Sequence, residues 1–508
     1  MFRYKATAAL AVTALLTLSA CGGGSSSDSS SADGGSLTLT AVAAPTSMDV
    51  SKAEWGNRSP FYQASYDTLL YMSADGEVEP WLATDYSYND DNTELTLTLR
   101  DDVTFTDGST LTAKLVKENL ERFQSGTSPD ASYLAGITGI STPDDTTVVL
   151  KMAEPNPALV DYLTRDPGLI EAASMFKADD ADTNPVGSGP YVLDTKASVT
   201  GTTYVYTANP DYWNADAVTY DDLTINVITD ATAALNTVRS GEANGVKLVN
   251  NDSLDEVQSA GWTVNANELD VAGLLLLDRA GSQNKALGDV KVRQAINYAI
   301  DRAGLLTALQ DGNGTVTEQM FPASSAAYDE SLDSYYSYDP EKAKELLAEA
   351  GYADGVTIEM PSASALGATT YTLIKQELAD VGITVKYTEV PVENFIADLL
   401  APKYVASYMP LEQNPDWQLI QFMISPTAVF NPYHYSDDTV NKLLKEIQYG
   451  DTATQEAKAA ELNKYLVEQA WFAPFYRVQG SFATDANTTV TMSTTNAYPS
   501  LFDFQPAS

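Results

Sequence analysis

Alternating apolar and polar positions predict several β-strands in the first half of the chain. In residues 93–100, Leu95, Leu97 and Leu99 fall on one side and polar residues on the other, as in a half-buried strand. Residues 103–106 are expected to be its antiparallel partner. Further strands are expected at residues 36–42, 191–193, 203–207 and 223–227.

Apolar positions repeating at helical spacing, each preceded by a polar capping residue, predict helices. Thr112 and Asp230 precede two such segments, and the second is expected to stop at Gly241. The alternation of helices and strands indicates a mixed α/β class. The second half of the chain is expected to contain a buried strand over 274–277 that joins two lobes, helices after Asp289, after Asp339-Pro340 and over 370–381, and a strand over 383–387.

A short apolar segment near the start of the chain ends at its single cysteine. Arg3 and Lys5 precede residues 6–20, and a Gly/Ser/Asp-rich stretch follows Cys21. This order is typical of a bacterial lipoprotein signal peptide over 1–20, with a diacylglyceryl anchor on Cys21 and a flexible tether over 21–35. An ordinary signal peptide would leave a lone thiol on an exported protein, and a membrane span needs about 20 apolar residues. We therefore expect an extracytoplasmic protein anchored to the outer face of the cell membrane.

The charge balance limits the classes of partner. The chain has 69 acidic against 29 basic residues, a net charge of −40. Such a charge repels the phosphate backbone, so we expect no nucleic-acid partner. Because His434 is the only histidine and Cys21 the only cysteine, we also expect no metal site and no cofactor.

The sequence favours a binding protein over an enzyme. It contains no G-x-S-x-G or phosphate-loop pattern, and His434 lies in a loop without an assignable catalytic partner. The 29 Tyr and 6 Trp residues offer flat contact area with a polar edge. Trp55, Tyr408 and Trp417 are of most interest, since we expect them in Pro/Gly/Asn-rich loops, where binding residues concentrate. A cell-surface hydrolase is the opposing class.

Motifs spread along the chain, taken in order, resemble one family: the extracytoplasmic solute-binding proteins of peptide-type ABC importers, family 5. The resemblance covers nearly the whole mature chain. The motifs are Tyr66-Asp67-Thr68-Leu69, Pro80-Trp81-Leu82-Ala83, Leu99-Arg100-Asp101-Asp102-Val103-Thr104-Phe105-Thr106-Asp107-Gly108, Gly187-Ser188-Gly189-Pro190-Tyr191, Asn209-Pro210-Asp211-Tyr212-Trp213, Val292-Arg293-Gln294-Ala295-Ile296, Ala299-Ile300-Asp301-Arg302 and Tyr338-Asp339-Pro340-Glu341-Lys342-Ala343.

The resemblance implies a two-lobe α/β fold of the periplasmic-binding-protein type (type II, cluster C), with a hinge and an extra subdomain in lobe I. It also implies that a monomer closes on a solute and delivers it to the permease subunits of an ABC importer. The expected bounds are 36–60, 185–272 and 486–508 for the core of lobe I, 61–184 for the extra subdomain and 273–485 for lobe II.

The ligand-binding positions depart from the pattern of peptide-binding members. Aligned on residues 414–416, the family's amine-binding aspartate falls on Leu411 and its tryptophan on Tyr408. Glu412, next to Leu411, is the candidate replacement. Dipeptide-binding members also carry an arginine shortly after a Met-Pro pair, but no basic residue follows Met360-Pro361 before Lys375. An unpaired buried charge is costly, so a small zwitterionic dipeptide is disfavoured.

An oligopeptide held through its backbone is therefore the expected ligand. The close alternative is an uncharged amphipathic solute, such as an aromatic amide, a hydrazide or an oligosaccharide, and a nickel chelate is a third that rests on His434 alone. The expected ligand contacts are stacking from Trp55, Tyr408 and Trp417, an amine contact or hydrogen bond from Glu412, and a polar contact from His434.

Overall fold

The computed structural model describes residues 35–364 and 367–507. The predicted signal peptide, Cys21 and the tether before residue 35 lie outside this part of the chain. Within it, no helix is both long enough and apolar enough to cross a bilayer.

The strands of the described residues fall into one large sheet and several small ones. In chain order they are β1 (Ser36–Ala41), β2 (Asp67–Thr68), β3 (Leu70–Met72), β4 (Val78–Pro80), β5 (Ala83–Tyr88), β6 (Glu94–Leu99), β7 (Ile137–Ser141), β8 (Thr147–Met152), β9 (Leu169–Ile170), β10 (Tyr191–Leu193), β11 (Thr203–Ala208), β12 (Asp222–Val227), β13 (Gly245–Lys247), β14 (Thr263–Leu276), β15 (Gly314–Val316), β16 (Val356–Ser362), β17 (Ile383–Glu389), β18 (Ala406–Glu412), β19 (Phe472–Thr484), β20 (Thr488–Val490) and β21 (Phe504–Pro506).

The helices are more numerous in the second half of the chain. They are α1 (Ser59–Ser65), α2 (Ala113–Gln124), α3 (Leu159–Tyr162), α4 (Ala231–Ser240), α5 (Leu254–Ser259), α6 (Val290–Ala299), α7 (Arg302–Gln310), α8 (Pro340–Glu349), α9 (Ala368–Asp380), α10 (Val392–Leu400), α11 (Asp416–Leu419), α12 (Asp438–Tyr449) and α13 (Thr452–Glu468).

A nine-stranded sheet is shared by the two lobes, in the order β10-β11-β12-β1-β13-β19-β14-β18, with β15 also paired to β19. In lobe I, β1 is parallel to β12 and β13, so the carboxyl ends of these three strands meet at one edge. The long antiparallel strands β14 and β19 pass from lobe I into lobe II. The architecture is the two-lobe α/β fold that the resemblance implies.

The ladder between β14 and β19 contains two irregularities. Its register shifts between Glu268 and Asp270, where Leu269 is an extra residue on β14, and again between Ala272 and Gly273. A bulge of this kind bends a strand and increases its twist. The extra residue also makes a backbone hydrogen bond, because the carbonyl of Leu269 accepts the N–H of Gln413, the residue after β18. This bond ties the first bulge to the end of β18.

The predicted half-buried strand is confirmed as β6, but its predicted partner is wrong. Leu95, Leu97 and Leu99 are buried, and β6 pairs with β5 and β8 rather than with residues 103–106. Residues 103–106 instead turn back on the chain that follows them. The N–H of Phe105 donates to the carbonyl of Ser109 (2.8 Å). Backbone groups paired in this local turn are not available to β6.

Most other predicted elements are confirmed. Thr112, Asp230, Asp289 and Asp339 accept backbone N–H groups at the starts of α2, α4, α6 and α8, and Gly241 ends α4 at a φ of +69°. The predicted strands at 36–42, 191–193, 203–207, 223–227 and 383–387 correspond to β1, β10, β11, β12 and β17, the run 274–277 overlaps the end of β14, and the helix over 370–381 is α9.

Two buried arginines of the helical motifs hold lobe II together. Arg293 in α6 donates to the carbonyls of Gln469 and Ala470, just before β19. Arg302, at the start of α7, donates to the carbonyl of Pro474 within β19 (2.8 Å). These motif residues therefore position the hinge strand and serve folding.

The motifs of lobe I meet at the carboxylate of Asp67, which is 3% exposed. Its Oδ1 accepts from Trp81 Nε1 (2.8 Å) and from the Tyr212 hydroxyl (3.0 Å). Its Oδ2 accepts from the Ser188 hydroxyl (2.8 Å) and from Trp213 Nε1 (3.1 Å). Burial raises the pKa of Asp67, and the hydrogen bonds oppose that rise because they favour the ionised form. One carboxylate thus joins four segments that are distant in sequence.

The two glycines that flank Ser188 make this junction possible. A Cβ atom on Gly189 would lie 2.5 Å from the backbone of Ser65, and one on Gly187 would lie 2.0 Å from the carbonyl oxygen of Ser65. Only glycine lets the two chain segments approach so closely. The Gly-Ser-Gly motif therefore allows close packing against Ser65 and places the Ser188 hydroxyl within hydrogen-bond distance of Asp67.

We expect Asp67→Asn to lower the free energy of unfolding by about 2–4 kcal/mol, because the amide places an NH₂ group against two of the four donors. Urea unfolding followed by far-UV circular dichroism measures the change. Ser188→Ala removes one donor only and is expected to cost about 1 kcal/mol. Equal costs for the two variants would contradict a junction that depends on the carboxylate.

Candidate functional site

A cavity of about 420 Å³ lies between the lobes beside β14 and β19. In lobe I its wall is formed by residues that follow β1, β12 and β13, at the carboxyl ends of parallel strands, where open α/β sheets bind ligands. Lobe II contributes the end of β18. We call this space the hinge cavity and define it by Val42, Thr229, Lys247, Asp270, Glu412 and Gly480.

Two carboxylates stand side by side in the hinge cavity. Asp270 in β14 and Glu412 in β18 are direct partners in the antiparallel ladder, which places their Cβ atoms about 5 Å apart on one face. Both side chains are exposed to the water of the cavity, and the cavity walls shield them only in part. Burial therefore raises the pKa of both carboxyls, while Lys247 opposes the rise at Asp270 and Arg165 opposes it at Glu412.

The third charged group of the hinge cavity is Lys247, the last residue of β13. Only 7% of this residue is exposed. Burial lowers the pKa of its ammonium group to about 8, and the carboxylate of Asp270 counteracts part of that effect. The cavity thus offers partners for both a positive and a negative group of a ligand.

The structure explains why Leu411 carries no carboxylate. Leu411 pairs with Val271, and both pack into an apolar cluster of lobe II. Because side chains alternate along a strand, Glu412 points the other way, into the hinge cavity. Its nearest cation is Arg165 of the extra subdomain, at 4.0 Å. Glu412 is thus placed for the amine contact that remains a prediction.

The aromatic residues Trp55 and Trp417 lie at two further spaces. Trp55 is half-buried, and its Nε1 donates to Asn496 Oδ1 (2.8 Å). Its ring faces a small space of about 40 Å³ near Asp67, while the next residue, Gly56, lines the hinge cavity. Trp417 lies in α11 and not in the predicted loop. It is buried and lines a larger space between the extra subdomain and lobe II.

That larger space, about 710 Å³, is lined mainly by aromatic, amide and hydroxyl groups. We call it the aromatic cavity and define it by Tyr133, Tyr162, Trp417, Gln418, Phe422 and Gln448. Tyr133 and Tyr162 are stacked at a centroid distance of 4.5 Å, and the Oε1 atom of Gln418 is buried without a hydrogen-bond partner among the described residues. Such a wall suits a flat or sugar-like group with polar edges.

Tyr408 and His434 line neither cavity. The predicted loop position of Tyr408 is wrong, because Tyr408 lies within β18. It is buried on the opposite face of the lobe II sheet from Leu411, with its ring edge-on to Tyr371 and stacked on Phe475. His434 is exposed at a φ of +54°, and its Nδ1 lies 2.8 Å from the carbonyl oxygen of Pro426. The positions of Tyr408 and His434 therefore give no support to the predicted stacking and polar contacts with a ligand.

The extra subdomain touches lobe II through hydrogen bonds beside the aromatic cavity. Gln418 Nε2 donates to the Tyr133 hydroxyl (3.0 Å), and Gln448 Nε2 donates to the carbonyl of Pro155 (3.0 Å). The side chains of Ala158 and Tyr162 also join an apolar cluster of lobe II. Hydrogen bonds and apolar contacts therefore join the extra subdomain directly to lobe II.

Sequence reasoning missed Asp270 and Lys247. It sought a cation after Met360-Pro361, which lie in β16 and line neither cavity. One signal was available for Lys247, a lone charge among the apolar residues Val246, Leu248 and Val249 just after a helix end. Across the described ranges, no group of three or more His, Cys, Asp or Glu side chains is placed to hold a metal ion.

Comparison with known proteins identifies the family. Residues 77–442 match the sequence profile of the bacterial extracellular solute-binding proteins, family 5. The glutathione-binding protein GsiB of Salmonella typhi is 28% identical over 400 residues, which are 74% of this chain and 76% of that protein.

Solved structures share the fold. HbpA2 from Haemophilus parasuis superposes with a TM-score of 0.82 at 22% identity, over 93% of this chain and 100% of that one. The periplasmic binding protein DppA from Helicobacter pylori, in complex with the peptide STSA, superposes with a TM-score of 0.73 at 22% identity, over 93% and 98%. With a profile match over most of its length, the chain belongs to the bacterial extracellular solute-binding proteins of family 5, which capture solutes for ABC importers.

Proposed function

We propose that this protein captures oligopeptides with a free α-amine and passes them, without catalysis, to the permease of an ABC importer. The observation that carries the proposal is the pair of carboxylates, Asp270 and Glu412, on adjacent strands in the hinge cavity. An ammonium group that leaves water needs a charged partner, and this pair supplies two. The relatives named above as binding glutathione and the peptide STSA support a ligand with peptide character.

An uncharged amphipathic solute is the second candidate, and the aromatic cavity favours it. An aromatic amide or an oligosaccharide would stack on Trp417 and the paired tyrosines Tyr133 and Tyr162, and would bond to the Gln418 amide. A thermal-shift comparison of tri- to pentaalanine with cellotriose and benzhydrazide separates the two candidates, because a true ligand raises the melting temperature by mass action.

Closure is part of the proposal, because a binding protein of this type holds its ligand between two lobes. The hydrogen bonds from Gln418 and Gln448 to the extra subdomain would form as the lobes meet. Each bond then adds to the stability of the closed form, and the measured affinity reports the population of that form.

Anchoring completes the proposal. We infer that Cys21 carries a lipid and that the Gly/Ser-rich residues after it act as a tether, so that a monomeric binding protein stays near its permease. A diacylglyceryl group joined to the Cys21 sulfur by a thioether inserts its acyl chains in the outer face of the membrane and leaves the cleft free to move.

The carboxylate pair is tested by Asp270→Asn with Glu412→Gln. The double variant is expected to bind trialanine at least about tenfold more weakly, a loss of about 1.4 kcal/mol, because the α-amine loses both charged partners. N-acetyl-trialanine should bind the double variant and the wild type alike in isothermal titration calorimetry. Glu359→Gln, on the exposed face of β16, is the control. Equal affinities of the wild type for the free and acetylated peptides would contradict the proposal.

Closure is tested by Gln448→Leu, which removes the donor to the Pro155 carbonyl. One hydrogen bond of about 1 kcal/mol corresponds to a Kd about fivefold higher, and dissociation should be faster in stopped-flow measurements. Gln283→Leu is the matched control, because Gln283 Nε2 donates to the carbonyl of Pro402 (2.8 Å) and both residues lie in lobe II. The same Kd in both variants would show that the bridge adds nothing to closure.

The anchor is tested by metabolic labelling with palmitate. The wild-type protein should be labelled and membrane-bound, and globomycin should cause its precursor to accumulate, since the signal is cut before a lipid-modified cysteine. Labelling that persists in Cys21→Ser would place the lipid elsewhere and refute this assignment.

A further inference from the structure

Lys247 is held rigidly at the edge of the hinge cavity. It ends β13, which lies between β1 and β19 in the large sheet. Its backbone N–H donates to the hydroxyl of Thr40 (3.0 Å), and it pairs with Phe482 across the ladder. The position of its side chain is therefore set by three strands and not by a flexible loop.

The ammonium group of Lys247 has no partner in the described residues. Within residues 35–364 and 367–507, its Nζ has no hydrogen-bond acceptor and no carboxylate within 4.0 Å, although the residue is only 7% exposed. The group runs beside Gly480, where a Cβ atom would lie 3.5 Å from Nζ, and both residues line the hinge cavity. The ammonium thus lies in the wall of the hinge cavity, next to Gly480, and faces the space that a ligand would fill.

A buried and unpaired charge is unfavourable, and a structural role does not account for one here. An apolar side chain of similar length would fill the same position without the desolvation cost. Asp270 attracts Lys247 only from beyond ion-pair distance, and Glu412 beside it has Arg165 as its nearest cation. The free N–H donors of Nζ face the hinge cavity.

We propose that Lys247 binds a carboxylate group of the solute and thereby selects ligands that carry a negative charge at one end. This inference rests on the proposed function for the positive end, where Asp270 and Glu412 receive the amine. The solute class is then zwitterionic peptides. The carboxylate has two possible sources, the C-terminus of the peptide or an acidic side chain, and both present the same group to Nζ.

The test compares peptides that differ only in this group, by calorimetry at pH 6.5. Trialanine as the free acid and as the C-terminal amide tests the terminal source. Ala-Glu-Ala amide against Ala-Gln-Ala amide tests the side-chain source. Each pair is measured with the wild type, with Lys247→Met, with Lys247→Gln and with the control Lys386→Met, whose exposed lysine lies in β17. Thermal unfolding confirms that each variant is folded.

The wild type and Lys386→Met should bind the carboxylate member of one pair at least tenfold more tightly than its amide. In Lys247→Met and Lys247→Gln that ratio should fall to about one, because the neutral peptide never used the ammonium group. A ratio that persists in both Lys247 variants, or a wild type that discriminates within neither pair, overturns the proposal while the peptide function stands.

If the wild type binds no peptide, the proposed function fails, and the non-peptide zwitterion 6-aminohexanoate against 6-aminohexanamide then decides the role of Lys247. Tighter binding of 6-aminohexanoate that is lost in Lys247→Met and Lys247→Gln supports the carboxylate site. Equal binding, or binding of neither, overturns it as well.

Discussion

The antiparallel pairing of β14 with β19 is the interaction on which the binding site depends. Asp270 lies on β14, Glu412 is its direct partner on β18, and Lys247 pairs with Phe482 of β19. The backbone hydrogen bonds of β14 and β19 therefore set the positions of all three charged residues. The same two strands pass through both lobes, so the site is built where relative movement of the lobes is smallest. A ligand seated there would remain in contact with both lobes as they open and close.

The motifs that carry the family resemblance act elsewhere. In lobe I they converge on Asp67, and in lobe II Arg293 and Arg302 fasten helices to the backbone around β19. None of these side chains lines the hinge cavity or the aromatic cavity. The resemblance is consequently strong for the fold and weak for the ligand, since motif residues that hold a scaffold together tell nothing of the solute that the scaffold receives.

Apolar alternation and helix-capping residues predicted individual strands and helices well. They failed for strand pairing and for site residues, which depend on contacts with distant parts of the chain. The alternation of Leu95, Leu97 and Leu99 needs only one buried face, and the caps at Thr112 and Asp230 need only the next turn of helix. Residues 103–106 were misassigned because a nearby turn takes up their hydrogen bonds. The missed site residues, Lys247 and Asp270, meet only through pairing with β19, which lies more than 200 residues further along. No single-sequence pattern reveals that register.

The charges of the hinge cavity favour a zwitterionic ligand over dianionic, cationic and neutral ones. The chain carries a net charge of −40, so a dianionic solute would meet repulsion from the whole molecule as well as from Asp270 and Glu412. A purely cationic solute would pair with the two carboxylates but leave the ammonium of Lys247 buried and unpaired. A neutral solute would leave Asp270 and Lys247 without charged partners and would leave Glu412 with Arg165 alone. A zwitterion pairs its ammonium group with the carboxylates and its carboxylate with Lys247, and it adds no net charge. Because the two ends are held by different strands of one sheet, the site selects ligands by the distance between their two charged groups.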